Sequence, residues 1–124
     1  MSIERRSFPR FQADFSLSVS LPDDADARVY SAQARTLSRT SLDFFCHADL
    51  VTSLLKQDKL PLSCSLMFKL PHHEHVFRLK AEVLTHRRLS QYQYVLVVLF
   101  RHDDPQQEEL LAEEAARVRP VGPD

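Results

Sequence analysis

The sequence predicts an all-β fold, a six-stranded antiparallel β-barrel with a C-terminal α-helix. Three observations predict it. Apolar and polar residues alternate over several short runs, as in strands with one wet face. No helical periodicity separates those runs, which excludes the βαβ units of a parallel sheet. After the last run, a capping pattern opens a helix.

The first alternation runs from Phe11 to Leu21, with Phe11, Ala13, Phe15, Leu17, Val19 and Leu21 on one face. Pro22 to Asp26 is turn-forming. Val29 to Leu37 is the returning strand, and Ser38 to Ser41 breaks it. Leu42 to Cys46 is a short buried strand. Asp49 to Leu55 fits either one helical turn or a loop. Leu62 to Leu70 and Phe77 to Val83 alternate again, on either side of a hairpin connection at Pro71 to Glu74. Tyr92 to Phe100 is apolar on both faces and should lie between two layers. Asp104 as N-cap, Pro105 at the first helical position and Gln107 as capping-box partner start a helix over about residues 104–118. Leu111, Ala115 and Val118 fall on its apolar stripe. Residues 1–10 form a basic arm, 11–118 the barrel and helix, and 119–124 a tail. Phe15, Leu17, Val19, Leu66, Phe68, Leu79, Val83, Leu96, Val98 and Leu111 are the expected core.

The chain has 124 residues, enough for one domain with a real core. Its formal net charge of −1 lacks the positive field that bulk nucleic-acid binding requires, so neither DNA nor RNA is an expected partner. The first ten residues hold no apolar leader, and the longest apolar stretch, Tyr94 to Phe100, is too short to span a membrane. Cys46 and Cys64 stand alone in apolar surroundings and read as reduced core residues, so a cytoplasmic location is expected. The single glycine, Gly122, lies in the tail, which leaves a phosphate-cradling glycine loop out of reach.

The informative segment is Arg5-Arg6-Ser7-Phe8-Pro9-Arg10, just before the first strand. Guanidinium groups grip phosphates bidentately, stack on purines and bond the O6/N7 edge of guanine. Pro9 stiffens the arm, and Phe8 and Phe11 can pin it to the barrel. The pattern suits a compact anion that carries guanine bases.

Arg-Arg-x-x-x-Arg before a strand, with Thr36-Leu37-Ser38-Arg39-Thr40-Ser41 after the second strand, resembles the PilZ domains, bacterial receptors for cyclic di-GMP. The resemblance covers about residues 4–118. It implies a ligand site made by Arg5, Arg6, Arg10, Thr36, Ser38 and Ser41, no cofactor beyond the ligand, and no catalysis. The doubled Arg5-Arg6 resembles members that take up a stacked, intercalated dimer of the dinucleotide. Ligand binding would order the arm against the barrel and present a new surface to a protein partner. The second motif departs from D/N-x-S-x-x-G: Thr36 replaces the Asp or Asn that engages a guanine edge, and Ser41 replaces the glycine at which the backbone turns. Val95 stands where a further family glycine is found. The alternative is therefore a degenerate adaptor of the same fold that binds no nucleotide and works through protein contacts alone.

The remaining polar clusters carry less. His72, His73 and His75 offer two imidazoles on one face but no third ligand, short of what zinc requires, so no metal site is expected. His86-Arg87-Arg88 stands either beside the ligand or at a solvated strand end, and the second fits better. Tyr92 and Tyr94 read as barrel or helix-packing residues. No nucleophile motif and no P-loop is present, so an enzyme is not expected.

Overall fold

A computed structural model describes residues 10–22, 28–71 and 73–117. Arg5, Arg6, most of the Pro22–Asp26 turn, His72, the side chains of Ala115 and Val118, and the tail lie outside the described residues. Among the described residues, seven strands and two helices follow in order: β1 (Phe11–Gln12), β2 (Ser16–Ser20), β3 (Val29–Leu37), β4 (Ser41–His47), α1 (Ala48–Leu54), β5 (Ser63–Lys69), β6 (Val76–Arg88), β7 (Gln93–Arg101) and α2 (Pro105–Arg117). All pairings are antiparallel. The order β3-β2-β5-β6-β7-β4 returns to β3, so six strands close a barrel and β1 is an extra strand on β3.

The expected first strand is thus two pieces. Gln12 pairs with Thr36 and Ser16 with Gln33, so four steps on one side face three on the other. One extra residue is accommodated as a bulge between β1 and β2. Two more irregularities fall at Arg35 in β3 and Leu84 in β6. Bulges bend a strand and increase its twist, which barrel closure requires. They do here what glycine kinks do in other barrels, since no glycine occurs before Gly122.

The inward residues of the six barrel strands meet in one core. Val19, Leu42, Phe44, Phe77, Ala81, Leu96 and Val98 are fully buried there. Phe68 stacks between Phe15 and Phe77, with centroids 5.1 and 5.4 Å away. Burying each such side chain contributes roughly 1.5–3 kcal/mol. Val83 is a correction: it is only half-buried, because β5 ends opposite Glu82 and the rest of β6 pairs with β7 alone. For the same reason β6 runs on to Arg88 as a two-stranded ribbon, so His86, Arg87 and Arg88 belong to the strand.

The ends of the barrel are plugged by the helices. The ambiguous stretch after Cys46 forms α1, with His47 as N-cap; its Nδ1 accepts from Asp49 N–H at 3.0 Å. Leu50, Val51 and Leu54 bury one face of α1, and Tyr30 Oη meets Ser53 Oγ at 2.7 Å. At the opposite end Leu111 of α2 is fully buried. Asp104 caps α2 by accepting from Gln106 N–H at 3.0 Å. Gln107 does not close a capping box. Its side chain accepts from Arg78 N–H at 2.9 Å and donates to Arg78 O at 3.1 Å. β6–β7 pairing begins only at Lys80, so Gln107 satisfies the β6 backbone beyond that point and ties α2 to the barrel.

Candidate functional site on the outer barrel face

Opposed residues of antiparallel strands share a face of the sheet. Leu42, Phe44 and Cys46 point into the core, so Ser41, Asp43 and Phe45 point outward. The register then lines up Gln12, Thr36, Asp43, Val97 and Thr85 as one row across β1, β3, β4, β7 and β6. Gln33, Phe45, Val95 and Arg87 form the next row. The bulged Arg35 sets its guanidinium 6.0 Å from the Phe45 ring centroid.

The strand that follows the first motif runs beside the second motif. Phe11 pairs with Leu37 and Gln12 with Thr36, so the strand that follows Arg10 lies beside the strand that leads into Ser38. Phe11 is buried and anchors the end of the arm; Arg10 is exposed. Arg5 and Arg6 lie outside the described residues, and Arg10 is the described arginine of the first motif.

Ser38 locks the turn between β3 and β4. It is 2% exposed, and its Oγ accepts from Thr40 N–H at 3.2 Å and Ser41 N–H at 3.0 Å. Ser41 Oγ lies 2.9 Å from the same oxygen, and Ser38 N–H donates to Ser41 O at 2.9 Å. The hydroxyl is thus engaged within the turn. The turn itself falls on Arg39 and Thr40. Ser41, at the position of the family glycine, is already the first residue of β4 and pairs with Leu99.

Thr36 and Asp43 are directly opposed and buried, although both face outward. Thr36 Oγ1 has no hydrogen-bond partner among the described residues. Val95, also outward, is 3% exposed. The other outward apolar residues of the last strand, Val97 and Leu99, are only half-buried, so the expected second layer over β7 is not present among the described residues. Asp43 is the residue that sequence reasoning missed. One charge inside the apolar run Leu42–Cys46 was the available signal. Arg35, Phe45 and Arg87 are the other additions, and only the register reveals that they share the face.

The turn is also tied to α2. Arg39 forms a salt bridge with Glu108 at 3.2 Å, and His102 Nε2 lies 2.7 Å from Arg39 O. A hollow of about 560 Å³ beside this contact is lined by Arg39, Pro105, Glu108, Glu109, Ala112 and Glu113. Three carboxylates against one guanidinium make it a poor seat for an anion.

The other candidates resolve into packing. Among the described residues no three His, Cys, Asp or Glu side chains gather as metal ligands would. His75 lies edge-on to Phe77, with centroids 4.7 Å apart, and its backbone N–H donates to His73 Nδ1. Tyr92 is exposed in the β6–β7 turn and stacks on His47 at the start of α1. Cys46 and Cys64 are free and buried, and burial pushes both thiols up to about 12. No helix among the described residues is long and apolar enough to cross a membrane.

No family model matches the sequence, and no curated protein matches it either. Solved structures do match. The inhibitor of motility MotI/DgrA of Bacillus subtilis superposes with a TM-score of 0.65 at 13% identity, over 91% of this chain and 50% of that one. The PilZ domain of Escherichia coli YcgR, solved with c-di-GMP, gives 0.63 at 14% identity, over 92% of this chain and 91% of that one. Borreliella burgdorferi PlzA, solved in complex with c-di-GMP, gives 0.59 at 12% identity, over 92% and 54%. The chain spans about half the length of MotI/DgrA and of PlzA, and nearly all of the YcgR domain. A closed six-stranded antiparallel barrel with one extra strand and a C-terminal helix, superposing on these proteins over nine-tenths of its length, has a PilZ-like fold.

Proposed function

We propose that this domain is a cytoplasmic cyclic di-GMP receptor that signals by protein contact, without catalysis. Arg5, Arg6 and Arg10 supply guanidinium groups for the phosphates and guanines. Thr36, Ser38 and Ser41 bound the opposite side, with Ser38 holding the turn in shape. The observation that carries this reading is the β1–β3 pairing, which sets the end of the arginine arm beside the Thr36–Ser41 segment. The c-di-GMP present in the YcgR and PlzA structures supports the choice of ligand.

A second reading, an adaptor that binds no nucleotide, draws support from Thr36 and Val95. Neither offers the carboxylate or the open backbone of the family pattern, and Val95 fills the outer face. Calorimetric titration with cyclic di-GMP separates the two. A receptor binds, and Arg6→Ala and Arg10→Ala each weaken it roughly ten- to a hundredfold, as expected for loss of one charge-assisted contact. Arg5→Ala mainly changes the stoichiometry. An adaptor gives no heat at high micromolar ligand, whereas its Thr36→Asp/Ser41→Gly variant does. If neither protein binds, the resemblance extends to the fold alone.

A further inference from the structure

Asp43 lies on the outer face at the centre of the five-strand row, yet it is only 4% exposed. Other carboxylates on the outside of the barrel are engaged. Glu82 accepts from Arg101 at 2.7 Å, and Asp14 accepts from Gln33 Nε2 at 2.8 Å. Asp43 makes no such bond among the described residues. Directly across from it, at the roughly 4.5–5.5 Å Cβ separation of such pairs, Thr36 buries a hydroxyl that also lacks a partner. A buried hydroxyl without a partner, beside a carboxylate residue that is almost wholly buried, is costly for a fold and calls for a ligand that can bond to both. Phe45 and the Arg35 guanidinium that covers it supply flat surfaces beside them.

We infer that Asp43 is the carboxylate that selects guanine at this site, with the Thr36 hydroxyl as its neighbour; the inference rests on the cyclic di-GMP reading. Guanine presents two parallel donors, N1–H and the N2 amino group, and the two oxygens of one carboxylate accept both. Adenine presents a lone pair at N1, which a carboxylate repels. A base edge brought to Asp43 would thus be sorted by charge and donor pattern. The acid absent from position 36 would be supplied from the neighbouring strand.

The test compares cyclic di-GMP with cyclic di-AMP on the full chain, for wild type, Asp43→Ala and Asp43→Asn. Thermal denaturation confirms that each variant folds. The wild type should prefer cyclic di-GMP. Asp43→Ala should weaken cyclic di-GMP binding roughly ten- to a hundredfold. Cyclic di-AMP binding should not weaken, so the preference collapses. Asp43→Asn keeps the shape and one acceptor but turns a donor toward guanine, so its affinity should also fall; it carries the test if the alanine variant does not fold. Wild-type affinity and preference in a folded Asp43 variant would overturn the inference while leaving the receptor reading intact. A wild type that binds neither nucleotide would overturn both.

Discussion

Replacing Ser38 by alanine isolates the turn on which the second motif depends. The hydroxyl accepts two backbone N–H groups, from Thr40 at 3.2 Å and Ser41 at 3.0 Å, while itself only 2% exposed. Alanine fits the space but leaves both donors without that acceptor. An unsatisfied buried donor costs about 1–3 kcal/mol. Thr40 and Ser41 are half-buried, so water recovers part of the loss. The expected destabilisation is about 1–3 kcal/mol in total, on the order of 5–10 °C in Tm for a domain of this size. Urea unfolding followed by circular dichroism measures it. The midpoint should fall with an unchanged m-value, as expected when stability alone has moved. Ser41→Ala loses only the side-chain hydroxyl contact and should cost less, about 1 kcal/mol. A Ser38→Ala protein within about 0.5 kcal/mol of wild type would refute the lock and return Ser38 to the ligand.

Two further predictions concern the barrel itself. Val98→Asp should abolish cooperative unfolding, because Val98 is fully buried in the core and an unpaired carboxylate there is prohibitive; circular dichroism melts would show it, and a normal transition would mean that this face of β7 is not core. Burial raises both thiols from 9.0 to about 12, so the folded chain holds protons that the unfolded chain releases above pH 9. Stability contributed by the neutral thiols is complete below pH 9 and is lost as pH rises toward 12, by up to about 1.4 kcal/mol per pH unit for each thiol. Urea midpoints of wild type and Cys46→Ala/Cys64→Ala measured across that range should converge; parallel declines would assign the loss to other groups.

Much of the fold was legible because a barrel strand has one wet face, and the period-2 pattern records it. Val29–Leu37 matches β3 at both ends for that reason. The pattern failed where pairing changes without changing periodicity. The bulge between β1 and β2 leaves Phe11, Phe15 and Leu17 all buried, so the alternation reads as one unbroken strand. It also failed where a strand leaves the barrel: beyond Glu82, β6 has no β5 partner, and its outer residues are all polar or exposed. Gln107 looked like a capping residue because the helix start was clear, whereas the unpaired Arg78 backbone that it satisfies lies in another strand. The candidate site was half legible. Motif spacing locates Thr36, Ser38 and Ser41, but Asp43 joins them only through the β3–β4 register. That register contains the Arg35 bulge, and without that extra residue Thr36 would face another partner.

Cyclic di-GMP should bind on the outer face where β1, which follows the arginine arm, runs beside β3. The most direct measurement is an amide-resolved nuclear magnetic resonance titration of the full chain with cyclic di-GMP. The perturbed amides should cluster at Arg10–Gln12, Thr36–Asp43, Val95 and Val97, while those of α1 and the His73–His75 segment stay unmoved. An unchanged spectrum at high micromolar ligand, or changes confined to the acidic hollow beside α2, would contradict it.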